Sequence, residues 1–185
     1  SRACLAMTAR RASLLRAETV SRAPGLSARS RLRRVYYSAC SPIPDASAVL
    51  PPKRPPLVRE HRLYQADWMM RFYGFSSAEI AAAADPAGNL PLDIDPKLAW
   101  ALGHREMFPL DVNRAERAQL LRVPGLGVRA VDRILAARRH RRLRLDDVAR
   151  LTLSIARVRP FLIAADWSPV RLADAVDLPR LLRPQ

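Results

Sequence analysis

Apolar positions fall at helical spacing from about residue 59 onward. Leu63, Ala66, Met70 and Tyr73 stand at i, i+3, i+7 and i+10. This predicts a helix from Arg59 to Tyr73 that stops at Gly74. Trp68 and Phe72 lie off that stripe, so the helix is expected to be buried on two sides. Ser76 and Glu79 have the spacing of a capping box and open a short helix over 77–84, ended by Asp85-Pro86. Asp95-Pro96 pairs an N-cap with proline at the first helical position. The helix it opens carries Leu98, Trp100, Ala101 and Leu102 and fades before Pro109. Asn113, with Glu116 three residues on, predicts a helix from Arg114 to Arg122. Pro124-Gly125-Leu126-Gly127 breaks it, and Val131, Ile134 and Leu135 carry the next helix from about Val128. A short helix is expected over Leu145–Leu151. Another, capped by Ser154, is expected from Ile155 to Leu162 with a bend at Pro160.

Upstream the pattern changes. Val35–Ala39 is a short β-prone run with no convincing second strand nearby. Residues 41–58 are rich in proline and read as an extended connector. Residues 1–34 hold nine arginines and one acid, Glu18. That composition resembles an organellar presequence; a disordered basic arm, or a stretch outside the native fold, is the favoured reading, and no function is assigned to it. The chain thus reads as a basic, disordered segment (1–34), an orphan strand and connector (35–58), a helical segment (59–108), a helical-hairpin domain (109–165) and a tail (166–185). The expected fold class is mainly α: a small helical domain.

Charge narrows the function. Lys plus Arg total 32 against 17 acids, and the formal net charge is +15. Lys53 and Lys97 are the only lysines, so almost all the positive charge is guanidinium, whose planar fork suits phosphate oxygens. Attraction to a polyanion follows. A GC-rich genome also enriches Arg, Ala and Pro, so charge alone assigns nothing. Cys4 and Cys40 match no metal motif, and His61, His104 and His140 are scattered. Asp93 and Asp95 read as turn and cap residues, Glu60-His61-Arg62 and Asp67-Trp68 as helix surface, and no glycine-rich nucleotide loop is present. A reduced, cytoplasmic chain without a membrane span is expected.

The chemistry concentrates at 121–139. An apolar residue, Gly125, apolar Leu126 and Gly127 are followed three residues later by small Ala130, between two helices of matching phase. This pattern resembles the helix-hairpin-helix motif, in which a glycine corner brings main-chain amides to a phosphate; it departs mildly from that motif, with Val131 following Ala130. The glycines are expected to take positive φ, and Leu126 to plug the corner. The N–H groups of Gly127, Val128 and Arg129 then face one phosphate at the positive end of the second helix. Arg129, Arg133 and Arg122 flank that point, and Arg138, Arg139, Arg141 and Arg142 extend the basic surface. The expected site is therefore Arg122, Gly125, Leu126, Gly127, Val128, Arg129, Arg133 and Arg138, and the expected partner is double-stranded DNA bound without base readout. Thr152-Leu153-Ser154-Ile155 stands where a second hairpin would turn, but without glycines; it is expected to scaffold the first. A plain helical hairpin used as a protein–protein adaptor is the alternative.

A second resemblance spans about Arg33 to Trp167. Val35-Tyr36-Tyr37-Ser38-Ala39-Cys40-Ser41-Pro42-Ile43-Pro44, Arg59–Trp68, Arg71-Phe72-Tyr73-Gly74-Phe75 and Leu92–Lys97 carry it, together with the hairpin. These resemble the C-terminal part of a bacterial radical SAM protein family of DNA modification or repair. The resemblance implies a 4Fe-4S cluster and S-adenosylmethionine in a preceding barrel, held by a Cys-x3-Cys-x2-Cys triplet. This sequence has no such triplet. The expectation is a fragment with no cofactor and no catalytic residues of its own, with a truncated radical SAM enzyme as a further alternative and Val35–Ala39 as an orphaned barrel strand.

Overall fold

The computed structural model describes residues 5–7, 36–39, 56–85 and 88–169. Most of the basic segment, most of the proline-rich connector and most of the tail lie outside these residues. The protein is mainly helical, with seven α-helices among the described residues. Contacts divide these residues into two compact units. One comprises those up to Arg71 together with Phe75–Pro96; the other comprises Phe72–Gly74 and those from Lys97 on.

In the first unit, strand β1 (Leu5–Met7) pairs antiparallel with β2 (Tyr37–Ala39), Met7 opposite Tyr37. The β-prone run therefore has a partner, contrary to expectation. That partner lies some thirty residues upstream, in a stretch whose composition hides it. Helix α1 (Leu57–Phe72) ends before Gly74, whose φ is +71°. Leu63, Ala66 and Met69 form its buried face, whereas Trp68 and Phe72 are 56% and 48% exposed. The expectation of burial on two sides fails: those rings are on the solvent side. Tyr64 from α1 holds β2, its hydroxyl accepting from the Tyr37 amide (3.0 Å) and donating to the Tyr37 carbonyl (3.1 Å). Helix α2 (Ser77–Ala82) starts with the expected capping box between Ser76 and Glu79.

The second unit opens with α3 (Pro96–Gly103) and a 3₁₀ turn over Arg105–Met107. Strand β3 (Leu110–Asp111) follows and pairs parallel with β4 (Leu162–Ile163). The Val112 amide extends the pairing to Ile163 O (2.9 Å). That extended stretch prevents Asn113 from opening a helix. Its amide side chain instead clamps Leu143, donating to the carbonyl (3.2 Å) and accepting from the amide (2.7 Å). Helix α4 is correspondingly one turn, Arg117–Leu120, started by Glu116, whose amide donates to the Gln119 side chain (2.8 Å).

Helix α5 (Val128–Ala137) follows a corner at 121–127. It buries Ala130, Val131 and Ile134 and leaves Arg129, Asp132, Arg133 and Ala136 outside, an amphipathic split at helical period. Helix α6 (Leu145–Leu151) is followed by α7, which is shorter than expected. It spans Ile155–Val158 before a 3₁₀ turn over Arg159–Phe161, where Pro160 lacks the N–H to continue the ladder. Phe161 packs edge-on against Phe108, with ring centroids 5.2 Å apart. Residues 165–167 fold back: Asp166 accepts from the Leu145 amide (2.8 Å), and Arg159 lies 3.7 Å above the Trp167 ring. Among the described residues no helix is long and apolar enough to cross a membrane.

Candidate functional site

The corner between α4 and α5 is built from the inside out. Val123 and Leu126 are buried, so the apolar residues flanking Gly125 point into the core while Gly125 itself is exposed. Gly125 has φ +85°, a conformation side chains avoid. A methyl group on it would stand 2.8 Å from Val158 Cγ2 and 3.1 Å from Arg157 Cβ. Helix α7 thus packs directly on the corner, and only a residue without Cβ permits the approach. Gly127 differs from the expectation. Its φ is −99° and its ψ is 169°, ordinary extended backbone, and a methyl there would meet only the Tyr73 hydroxyl at 3.6 Å. Positive φ is therefore needed at one glycine of the pair.

Lys97 is the residue that sequence reasoning missed. It is 7% exposed, its ammonium donates to the Leu126 carbonyl at 2.5 Å, and it sits 4.4 Å from the Tyr73 ring centroid. A buried lysine thus lies beneath the corner and holds it by its main chain. One signal was available, since lysine is rare in a chain that otherwise uses arginine for charge.

Gly127 caps α5, and the first rung outside the helix ends is the Val131 amide donating to the Gly127 carbonyl at 3.0 Å. The amides of Val128, Arg129 and Ala130 precede that rung and have no acceptor in the helical ladder. Arg129 and Arg133 are exposed on the same side of α5, one turn apart, with Arg133 Nε 3.3 Å from the Arg129 carbonyl. Arg122 is half-buried, its guanidinium 5.5 Å from the Trp100 ring, which in turn stacks on His104 at 4.2 Å. Arg138 departs from its expected role. Its guanidinium turns inward and donates to the carbonyls of Val112 (3.1 Å) and Ala115 (2.7 Å), tying the end of α5 to the segment after β3.

Residues 117–144 contain nine arginines and a single acid, Asp132. That acid is engaged by Arg117 at 2.9 Å, an exposed pair worth little in stability but enough to lower the local negative field. Arg139, His140, Arg142 and Arg144 are exposed beyond the far end of α5, and Arg141 is paired with Asp147. The structure brings Gly125, Leu126, Gly127, Val128 and Arg129 together at one corner. Arg133 lies one turn away, Arg122 is stacked to one side, and Arg138 belongs to the scaffold.

Other chemistry does not assemble. Among the described residues no group of three His, Cys, Asp or Glu side chains is placed to hold a metal ion. Asp67 pairs with Arg71 (2.7 Å), and Arg62 donates to Gln65 and to the Leu92 carbonyl, so these helix-surface residues are used structurally. Cys4 and Cys40 lie outside the described residues. No protein-family model, curated protein or solved structure matches this chain.

Proposed function

We propose that the corner at Gly125–Gly127 is a helix-hairpin-helix contact for the phosphate backbone of double-stranded DNA, made without base readout. The observation that carries the reading is the start of α5. Amides without ladder acceptors stand beside exposed Arg129 and Arg133, while the corner's apolar residues face the core. A backbone oxygen takes those N–H groups, and the guanidiniums close around it with charge-assisted bonds. Base edges are not engaged, so unrelated duplexes bind alike. Such binding serves DNA repair or modification, the class implied by the upstream resemblance.

The iron–sulfur cluster implied by that resemblance does not fit this donor set. Two cysteines cannot supply the three thiolates a radical SAM cluster requires, and no reaction step is assigned to the chain.

Fluorescence anisotropy with unrelated 20-base-pair duplexes tests the reading. Affinity is expected to fall steeply with salt, each neutralised phosphate adding about −0.9 to the log–log slope. Combining Gly127→Val with Arg129→Glu should abolish most binding while circular dichroism stays helical, since position 127 has ordinary extended backbone and a β-carbon there makes only van der Waals contact, with the Tyr73 hydroxyl at 3.6 Å. Unchanged affinity in that double variant would rule the corner out as the contact.

A further inference from the structure

The two helical hairpins of the second unit place a leucine at the same position and treat it oppositely. Gly127 caps α5 and Ser154 caps α7, so Leu126 and Leu153 each stand one residue before a cap. An apolar residue there ordinarily packs on the fourth residue of the helix it precedes. That residue is Val131 in the first hairpin and Val158 in the second. Leu126 is 1% exposed; Leu153 is 102% exposed, as open as a leucine in a bare extended chain. The reason lies in the glycine corner. Val158 is itself fully buried, and its Cγ2 sits only 2.8 Å from where a methyl on Gly125 would stand. The first hairpin has taken the surface onto which Leu153 would fold down.

The surroundings of this leucine are cationic. Residues 148–165 contain Arg150, Arg157 and Arg159 and no acid. Arg150 is exposed in the last turn of α6, and Arg157 Cβ lies against the corner. Helix α7 has four residues, so the axial rise between Leu153 and the corner contact is only roughly 6 Å. Among the described residues of this unit, Phe72 is the sole other exposed large apolar side chain. A single exposed leucine, with Arg150 and Arg157 as its nearest charged neighbours along the chain, is too small an apolar patch to dock a protein. It suits a polyanion with an apolar interior.

We propose that Leu153 is a wedge for a disturbed base step in the DNA held by the corner, and that the preferred substrate is a duplex carrying a gap or mismatch. This inference rests on the DNA-binding reading above and adds the substrate class to it. An uncharged aliphatic tip can enter between bases where arginines hold the flanking phosphates. Unstacking costs least where the step is already broken.

The test compares wild type and Leu153→Ser on two 20-base-pair duplexes of one sequence, intact and with a one-nucleotide gap, by anisotropy at low salt. A 2-aminopurine beside the gap reports unstacking. Wild type should prefer the gapped duplex about tenfold, equivalent to about 1.4 kcal/mol, and brighten the probe. Leu153→Ser should lose both effects while intact-duplex affinity stays within twofold and the melting temperature is unchanged. Equal wild-type affinity for both duplexes, a preference that survives Leu153→Ser, or an equal loss on both duplexes would each overturn the wedge and leave the corner contact standing. Absence of binding to either duplex would overturn the DNA-binding reading itself, and the wedge with it.

Discussion

Replacing Gly125 by alanine, with Gly127→Ala as its control, separates two glycines that look equivalent on paper. At position 125 the backbone is left-handed at φ +85°, which costs a residue with Cβ about 1–2 kcal/mol. The new methyl also meets Val158 Cγ2 at 2.8 Å and Arg157 Cβ at 3.1 Å. Val158 is fully buried and cannot move aside freely, so overpacking adds about 1–3 kcal/mol. The expected loss is about 2–5 kcal/mol. At position 127 the backbone is extended and the nearest atom is 3.6 Å away. Loss of a favourable cap residue is there offset by the stiffer unfolded chain, and the net change should lie within about 1 kcal/mol. For a unit of this size each kcal/mol moves the melting temperature by about 4–8 °C. Gly125→Ala should therefore melt at least about 8 °C below wild type by circular dichroism, and Gly127→Ala close to it. Equal shifts for the two variants, or a Gly125→Ala change under about 1 kcal/mol, would refute the assignment of the close helix approach to Gly125.

Two further outcomes follow from side chains placed inside the units. Arg138→Ala removes two charge-assisted bonds to main-chain carbonyls and should destabilise the second unit by about 2–4 kcal/mol in urea unfolding. Duplex affinity of the folded variant should fall less than in Arg129→Ala. Tyr37 answers to pH: burial, then the charge of Asp67, pushes its phenol from 10.0 up to about 12, against a lowering by Arg71. The folded state keeps its proton where the unfolded state releases it, so this contribution is whole below pH 10 and drains away as pH rises through 12. Stability of the first unit measured across that window should decline, and Tyr37→Phe should flatten the decline.

Features fixed by local chemistry were legible in the sequence. The Ser76–Glu79 capping box, the stop before Gly74, the start at Pro96 and the amphipathic stripe of α5 all depend on neighbours within a turn. Features fixed by distant partners were not. Asn113 carries a good cap signature, yet its side chain is used by Leu143, thirty residues away. The two-residue strands β3 and β4 are too short to leave a periodic trace. The glycine corner stood out by composition, but which glycine needs its freedom depends on where α7 packs. The arginines were countable; that Arg138 faces inward and Arg122 stacks on Trp100 depends on tertiary surroundings a linear pattern does not contain.

The parallel pairing of Leu110 with Leu162 has a consequence for modularity. Neighbouring strands run about 4.8 Å apart, so some fifty residues leave the main line of the chain and rejoin it almost where they departed, still heading the same way. Helices α4 to α7 all lie between the two strands of that gate. A segment with such adjoining entry and exit points can be spliced into a surface loop of an unrelated host without stretching the host's backbone. The same geometry lets loops between the helices lengthen or shorten over evolution while the gate stays shut.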